Sequence, residues 1–216
     1  MLLISDIHGL WYENKTILRK TGAQKSLQLG DFGLGFPHGI EEVDLEEIEG
    51  THLFLRGNHD NQAVCRKSSH YVGDYGLLEG DFIDGAFTEL MYISGAWSID
   101  KDYRTPGLSW WEEEEMSYDE LSKAVNFFIA KKPNIVCSHD CPTSVLSHLY
   151  HSMIIPTRTG QAMDVMLDYY KPSYWFFGHH HQSWKKNIGG CTFVCLNELE
   201  TLDISKRIIN VGGNDV

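Results

Sequence analysis

Short apolar runs recur along the chain, each ending in polar residues: Leu2 to Ile4, Ser26 to Leu29, His52 to Leu55, Leu90 to Ile93, Ile135 to Cys137 and Tyr174 to Phe177. Runs this short, bounded by Gly, Asp, Asn or His, predict buried strands rather than helices. Helical patterns fall between them. Glu13 to Lys20 closes on Gly22, a C-cap residue. The strongest is Tyr118 to Lys131, where Ser117 and Glu120 make an S-x-x-E capping box, Leu121, Val125 and Phe128 line one face, and Pro133 stops the helix. Gln161 to Tyr170 is a third. Strands alternating with helices predict an α/β fold with its ligand residues at strand ends. After Phe177 the Gly-rich, strand-like segments Cys191 to Leu196 and Thr201 to Ile204 follow without helices, which predicts a second, more antiparallel sheet packed on the first. No repeat or linker-like stretch interrupts the chain, so one domain over residues 1–216 is expected.

Composition narrows the class. With 216 residues and 42% hydrophobic content the chain can bury a core, and nothing in it has the low hydrophobicity of disorder. A formal charge of -12, from 18 basic and 30 acidic residues, argues against binding nucleic acid over a broad surface but allows a nucleotide in a metal-lined pocket. Two acidic runs, Glu41 to Glu49 and Glu112 to Glu115, read as solvated faces or helix starts. The apolar stretch before Ser5 is too short for a signal-peptide core or a membrane span, so a cytoplasmic protein without membrane contact is expected. Five cysteines without a CxxC pair predict reduced thiols. Cys137 and Cys141 flank His139, yet lack the tight, repeated spacing of a structural zinc site.

The polar strand ends carry the chemistry. In an extended chain, positions i and i+2 face one side, so Asp6 and His8 can converge on one metal while Ile7 points to the core. Gly30-Asp31 follows the second run, with Gly33 and Gly35 letting the backbone pass close to an ion. Arg56-Gly57-Asn58-His59-Asp60 places an amide, an imidazole and a carboxylate in succession after the third. Later come Ser138-His139-Asp140 and Gly178-His179-His180-His181, where His179 and His181 share a face and His180 takes the other. Between these segments, Ser94 to Trp111 is aromatic, glycine-bearing and carries Arg104, as expected of a wall or lid over the site. Trp97, Trp110, Trp111 and Trp184 could stack on a base, although core packing is the default for each.

In this order, D-x-H, G-D, G-N-H-[DE], H and G-H-x-H, the five segments resemble the calcineurin-like metallophosphoesterase family. The resemblance implies a four-layer αββα sandwich of two mixed β-sheets flanked by helices. It puts Asp6, His8, Asp31 and His181 on one metal ion and Asp31, Asn58, His139 and His179 on a second, with Asp31 bridging. Carboxylate, imidazole and amide ligands together suit Mn, Fe or Zn. The implied reaction is hydrolysis of a phosphomonoester or phosphodiester by in-line attack of a metal-bridging hydroxide, with His59 protonating the leaving oxygen and Asp60 orienting and charging that imidazole. Arg56 and Arg104 are the candidate phosphate contacts. Gly30 to Gly35 lacks the G-D-x-V-D-R-G continuation of the protein phosphatases and Asp60 replaces their Glu, so a small-molecule or nucleotide ester is expected before a phosphoprotein. A metal-dependent nuclease and a catalytically silent interaction scaffold are the competing readings. Residues His148 to Gly160 show no pattern beyond a position that could close one side of the site.

Overall fold

The computed structural model describes residues 1–43, 48–80, 89–150 and 154–204. Strands β1 (Leu2–Ile4), β2 (Lys25–Gln28) and β3 (Thr51–Phe54) run parallel in one sheet, with β10 (Thr201–Asp203) antiparallel on the edge beside β1. The larger sheet has the order β4 (Tyr75–Glu79), β5 (Glu89–Ile93), β6 (Ile135–Ser138), β7 (Tyr174–Phe177), β9 (Cys191–Cys195), β8 (Trp184–Ile188). Its central strands are parallel and its two edges antiparallel. Among the described residues five α-helices accompany them: α1 (Trp11–Thr21), α2 (Gln62–Cys65), α3 (Tyr118–Lys131), α4 (Thr143–Leu149) and α5 (Arg158–Tyr169).

Side-chain alternation along the strands decides the layers. Leu3, Leu27, Leu29 and Leu55 meet Leu90, Tyr92, Ile135, Cys137, Phe176 and Val194 between the two sheets. The intervening residues face outward: Leu2, Ile4 and Phe54 under Leu18 of α1, and Met91, Ile93, Val136, Trp175 and Phe177 under Leu121, Phe128, Val145, Met163 and Met166 of α3, α4 and α5. The result is a four-layer αββα sandwich, each large buried side chain contributing about 1.5–3 kcal/mol. Local signals set the helix ends. Both halves of the Ser117–Glu120 capping box form, α3 closes on Lys132 with φ 49° ahead of Pro133, and α1 closes on Gly22 with φ 62°.

Two expectations change. The segments after Phe177 do not make a sheet of their own: β9 joins the larger sheet parallel to β7, and β10 pairs with β1 in the smaller one. The β8–β9 hairpin reverses the chain at the sheet edge, so β9 can lie parallel to β7 without a crossover helix. Glu114 and Glu115 are buried rather than solvated: Glu114 accepts from Ser98 N at 2.9 Å and Glu115 from Thr159 N at 2.8 Å. The other acidic run extends into residues 44–47, outside the described residues.

Candidate metal centre

All five polar segments leave the C-terminal ends of parallel strands, β1, β2 and β3 in one sheet and β6 and β7 in the other. They meet in two groups whose ligand atoms lie within 4.8 Å of one another, Asp6 with His8, Asp31 and His181, and Asp31 with His139 and His179. Asp31 belongs to both. Its Oδ2 faces His8 Nε2 at 3.8 Å and its Oδ1 faces His139 Nε2 at 3.2 Å. His8 and His181 bring their Nε2 atoms to 3.0 Å, and His181 Nε2 stands 3.6 Å from Asp6 Oδ1. Asn58 turns its Oδ1 into the second group, 3.2 Å from His139 Nε2.

The backbone that aims these groups is not extended. Asp6, His8, Asp31, His179 and His181 have φ of 42°, 46°, 52°, 63° and 49°. Asp6 and His8 therefore converge because each sits in a left-handed turn, not because alternate strand residues share a face, and the same correction holds for His179 and His181. The loops are laced together by His8 N–H to Asp31 O at 2.8 Å and by His179 N–H to the Asp6 carboxylate at 3.1 Å. Glycine is required where backbone passes a ligand: a Cβ at Gly30 would strike the His139 ring, and one at Gly178 would strike Asp6. Gly33 serves otherwise than expected, since it abuts the backbone of Gly9.

Charge is concentrated here. Burial alone would raise the Asp31 carboxyl, but His139, with His59 and His8, holds it well below the ordinary carboxylate range. Burial alone would lower His139, yet Asp31 raises it to about 9. The Asp6 side chain raises His181, while burial and His180 push His179 down to about 3. Two buried carboxylates thus recruit positive charge onto neighbouring imidazoles, which is the environment a divalent cation would satisfy in place of those protons. Oxygen and nitrogen donors in this proportion fit a Mn, Fe or Zn class ion.

The calcineurin-like phosphoesterase family matches residues 1–183. The chain belongs to that family. Members of this family are phosphoric ester hydrolases. Among solved structures, a proposed 5′-nucleotidase from Staphylococcus aureus, in complex with α-ketoglutarate, aligns with a TM-score of 0.52 at 12% identity, over 91% of this chain and 48% of that one. The chain thus spans about half the length of that structure, and the likeness is one of fold. A phosphopantetheinyl hydrolase from Mycobacterium tuberculosis has a TM-score of 0.49 at 12% identity, covering 91% of this chain and 89% of that chain. An archaeal phosphodiesterase has 0.39 at 12% identity, covering 92% and 84%. No curated protein matches the sequence.

Around these candidate ligands, Arg104 reaches His59 Nε2 at 2.6 Å and Asn58 O at 3.2 Å, and pairs with Asp100 at 2.8 Å. His59 also packs against His8 at 4.8 Å and Phe36 at 4.7 Å between ring centroids. Burial lowers the His59 imidazole, Asp31 opposes this, and Arg104 lowers it further, to about 4. An Arg N–H facing Nε2 makes that nitrogen an acceptor.

Asp60 does not hydrogen-bond this imidazole among the described contacts. Its carboxylate accepts from four backbone N–H groups, Phe32 at 3.0 Å, Gly33 at 2.7 Å, Leu34 at 3.0 Å and Gly57 at 2.7 Å. It ties the Asp31 loop to the Asn58 loop. Arg56, expected as a phosphate contact, is fully buried, with Nε on Asp74 at 2.9 Å and one terminal nitrogen on Glu114 O at 2.8 Å, so its guanidinium ties the end of β3 to these two neighbours.

Ser94 to Trp111 does lie against the centre. Ser98 accepts from Asn58 Nδ2 at 3.1 Å and donates to Glu114 at 2.5 Å, which fixes the amide with Oδ1 inward. Neither Ser98 nor Glu114 has a sequence signal, because they act across a loop of unpatterned length. Trp111 stands 6.2 Å from Phe36, and Trp184 packs into the outer core with Phe177. Cys137 is buried between the sheets, whereas Cys141 lies with Asp140 and His180. All five cysteines are free.

Proposed function

We propose that the protein hydrolyses a phosphate mono- or diester, of a small molecule or nucleotide, with two divalent cations held by Asp6, His8, Asp31 and His181 and by Asp31, Asn58, His139 and His179. The observation that carries this reading is Asp31, which turns one carboxylate oxygen to each group of ligands. When bound, two such ions supply a water of lowered pKa and neutralise the phosphoryl oxygens during in-line displacement.

The chain's own groups do the rest. Ser98 and Glu114 hold the Asn58 amide so that its carbonyl would be the atom offered to a bound ion. Arg104 offers a planar donor fork to a phosphoryl oxygen, and a dianionic phosphate competes with His59 for it. With Arg104 drawn onto phosphate, the phosphate's negative charge raises the imidazole, which can then carry a proton at Nε2 to the leaving oxygen. Asp60 supports His59 through the loop rather than by a bond to the ring. With every candidate ligand in place, an enzyme is favoured over an interaction scaffold.

The test joins metal analysis of wild type and Asp31→Ala to a hydrolysis panel of simple mono- and diesters, nucleotides, phosphopeptides and single-stranded DNA. Wild type is expected to hold two ions and Asp31→Ala to lose both. Loss of one alone would undo the bridging role, and inactivity across the panel with both ions present would favour the scaffold.

A further inference from the structure

A cleft of about 380 Å³ opens beside the candidate metal ligands, with His179 and His181 among its lining residues. Its walls are mostly apolar, Trp97, Ile99, Leu146, Tyr150 and Ile155 among them, with Asp140 and Thr157 as polar neighbours. Ile99 is 78% exposed and Ile155 46%, so both present apolar surface to the opening instead of to the core. Tyr150 is held in place by its hydroxyl on His180 O at 3.3 Å and by an edge-on contact with the His180 ring. Among the described residues no Lys or Arg lines the space, which disfavours a chain of further phosphates. His59, Arg104 and Phe36 do not line it either, so it is separate from the groups that face the leaving oxygen.

We propose that this cleft holds the substituent of a phosphodiester that stays on phosphorus, and that this substituent is a flat aromatic group. The inference rests on the phosphoesterase reading above and makes it more specific. An ester bound at the ions can direct one arm toward His59 and the other past His179, and only a diester has two arms. Trp97 and Tyr150 are aromatic members of this lining suited to an aromatic guest, and the volume is in the range of small-molecule sites. Hydroxide adds to phosphorus, the leaving alkoxide or phenoxide departs with the electrons of its P–O bond, and the retained arm remains in the cleft as a phosphate monoester. A monoester leaves the cleft unfilled.

The experiment holds the leaving group constant. kcat/KM is measured with the metal-loaded enzyme for methyl, phenyl and thymidine-5′ esters of p-nitrophenyl phosphate, each divided by its uncatalysed rate. p-Nitrophenolate leaves without a proton, so His59 does not enter the comparison. The phenyl and thymidine esters are expected to exceed the methyl ester by about tenfold or more, as filling an apolar pocket allows. The larger of the two tells an aryl group from a nucleobase. Ile155→Asp and Ile99→Asp are expected to bring the ratio to about one with two ions still bound. Ile99 is exposed enough that its replacement does not threaten folding. A wild-type ratio near one, or a high ratio untouched by both variants, would overturn the proposal. Failure to hydrolyse any of the three diesters while p-nitrophenyl phosphate is cleaved, with both ions present, would also overturn the proposal, whereas failure on p-nitrophenyl phosphate as well would instead overturn the phosphoesterase reading beneath it.

Discussion

Five of the candidate ligands hold left-handed backbone, a conformation that costs a residue other than glycine on the order of 1–3 kcal/mol. That cost persists only because neighbouring contacts over-determine it: His179 N–H on Asp6, His8 N–H on Asp31 O. Asp6-x-His8 and His179-x-His181 were legible as ligand pairs from residue type and position after a strand, while the turns that aim them were not, since residue type alone does not fix φ. Asp60 and Arg56 show the same limit more sharply. Their partners, the backbone of the Asp31 loop and Asp74 with Glu114, are set by folding and leave no trace in local spacing. His59 gives the prediction at this scale. His59→Asn is expected to keep both ions but to slow esters with alkyl leaving groups about 10²–10⁴-fold, while p-nitrophenyl esters lose less than about tenfold, because only the former need a proton on departure. Equal losses in steady-state kinetics for both classes would remove the proton-transfer role.

At the level of elements, the segment from Ser94 to Trp111 and the acidic run after it, Glu112 to Glu115, differ most from their reading in the sequence. The aromatic content of the first marked it as a wall of the site, yet its attachment comes from Glu114, read in the sequence as part of a solvated acidic run. Burial of Glu114 under Ser98 is what joins this segment to Asn58. A second junction is Asp74, which receives Arg56 from the end of β3, Arg66 from beyond α2 and the hydroxyl of Tyr71. Burial would raise the Asp74 carboxyl, but Arg56, with Tyr71 and Arg66, outweighs it and holds the folded-state pKa below the ordinary carboxylate range. A depressed carboxyl stabilises the fold above its unfolded pKa, and the contribution is lost as pH falls through the folded value. Stability followed by urea unfolding is therefore expected to drop below about pH 4, and Asp74→Asn to be destabilising at neutral pH with a shallower acid slope. An unchanged slope would mean that Asp74 does not set it.

For the whole molecule, the ligands come from both sheets: Asp6, His8, Asp31 and Asn58 from one, His139, His179 and His181 from the other. Ions bound between them would cross-link the two halves of the sandwich. At free metal about a thousand times Kd, binding contributes about 4 kcal/mol per ion, which for a chain of this size is roughly 10 °C in Tm. Chelation is expected to lower Tm by at least that amount in calorimetry, and an unchanged Tm would show that no ion links the sheets. Among the described residues no helix is long and apolar enough to cross a membrane. The sequence by itself determined eight of the ten described strands (β4 and β8 carry no clear apolar run), helices α1, α3 and α5, and the order of the ligand segments, because hydrophobic period, capping chemistry and residue type are local quantities. Tertiary structure alone decided where β9 and β10 pair, how five left-handed turns aim the ligands, that Asp60 clamps backbone, and that an apolar cleft opens beside His179, because each depends on which distant surfaces come together.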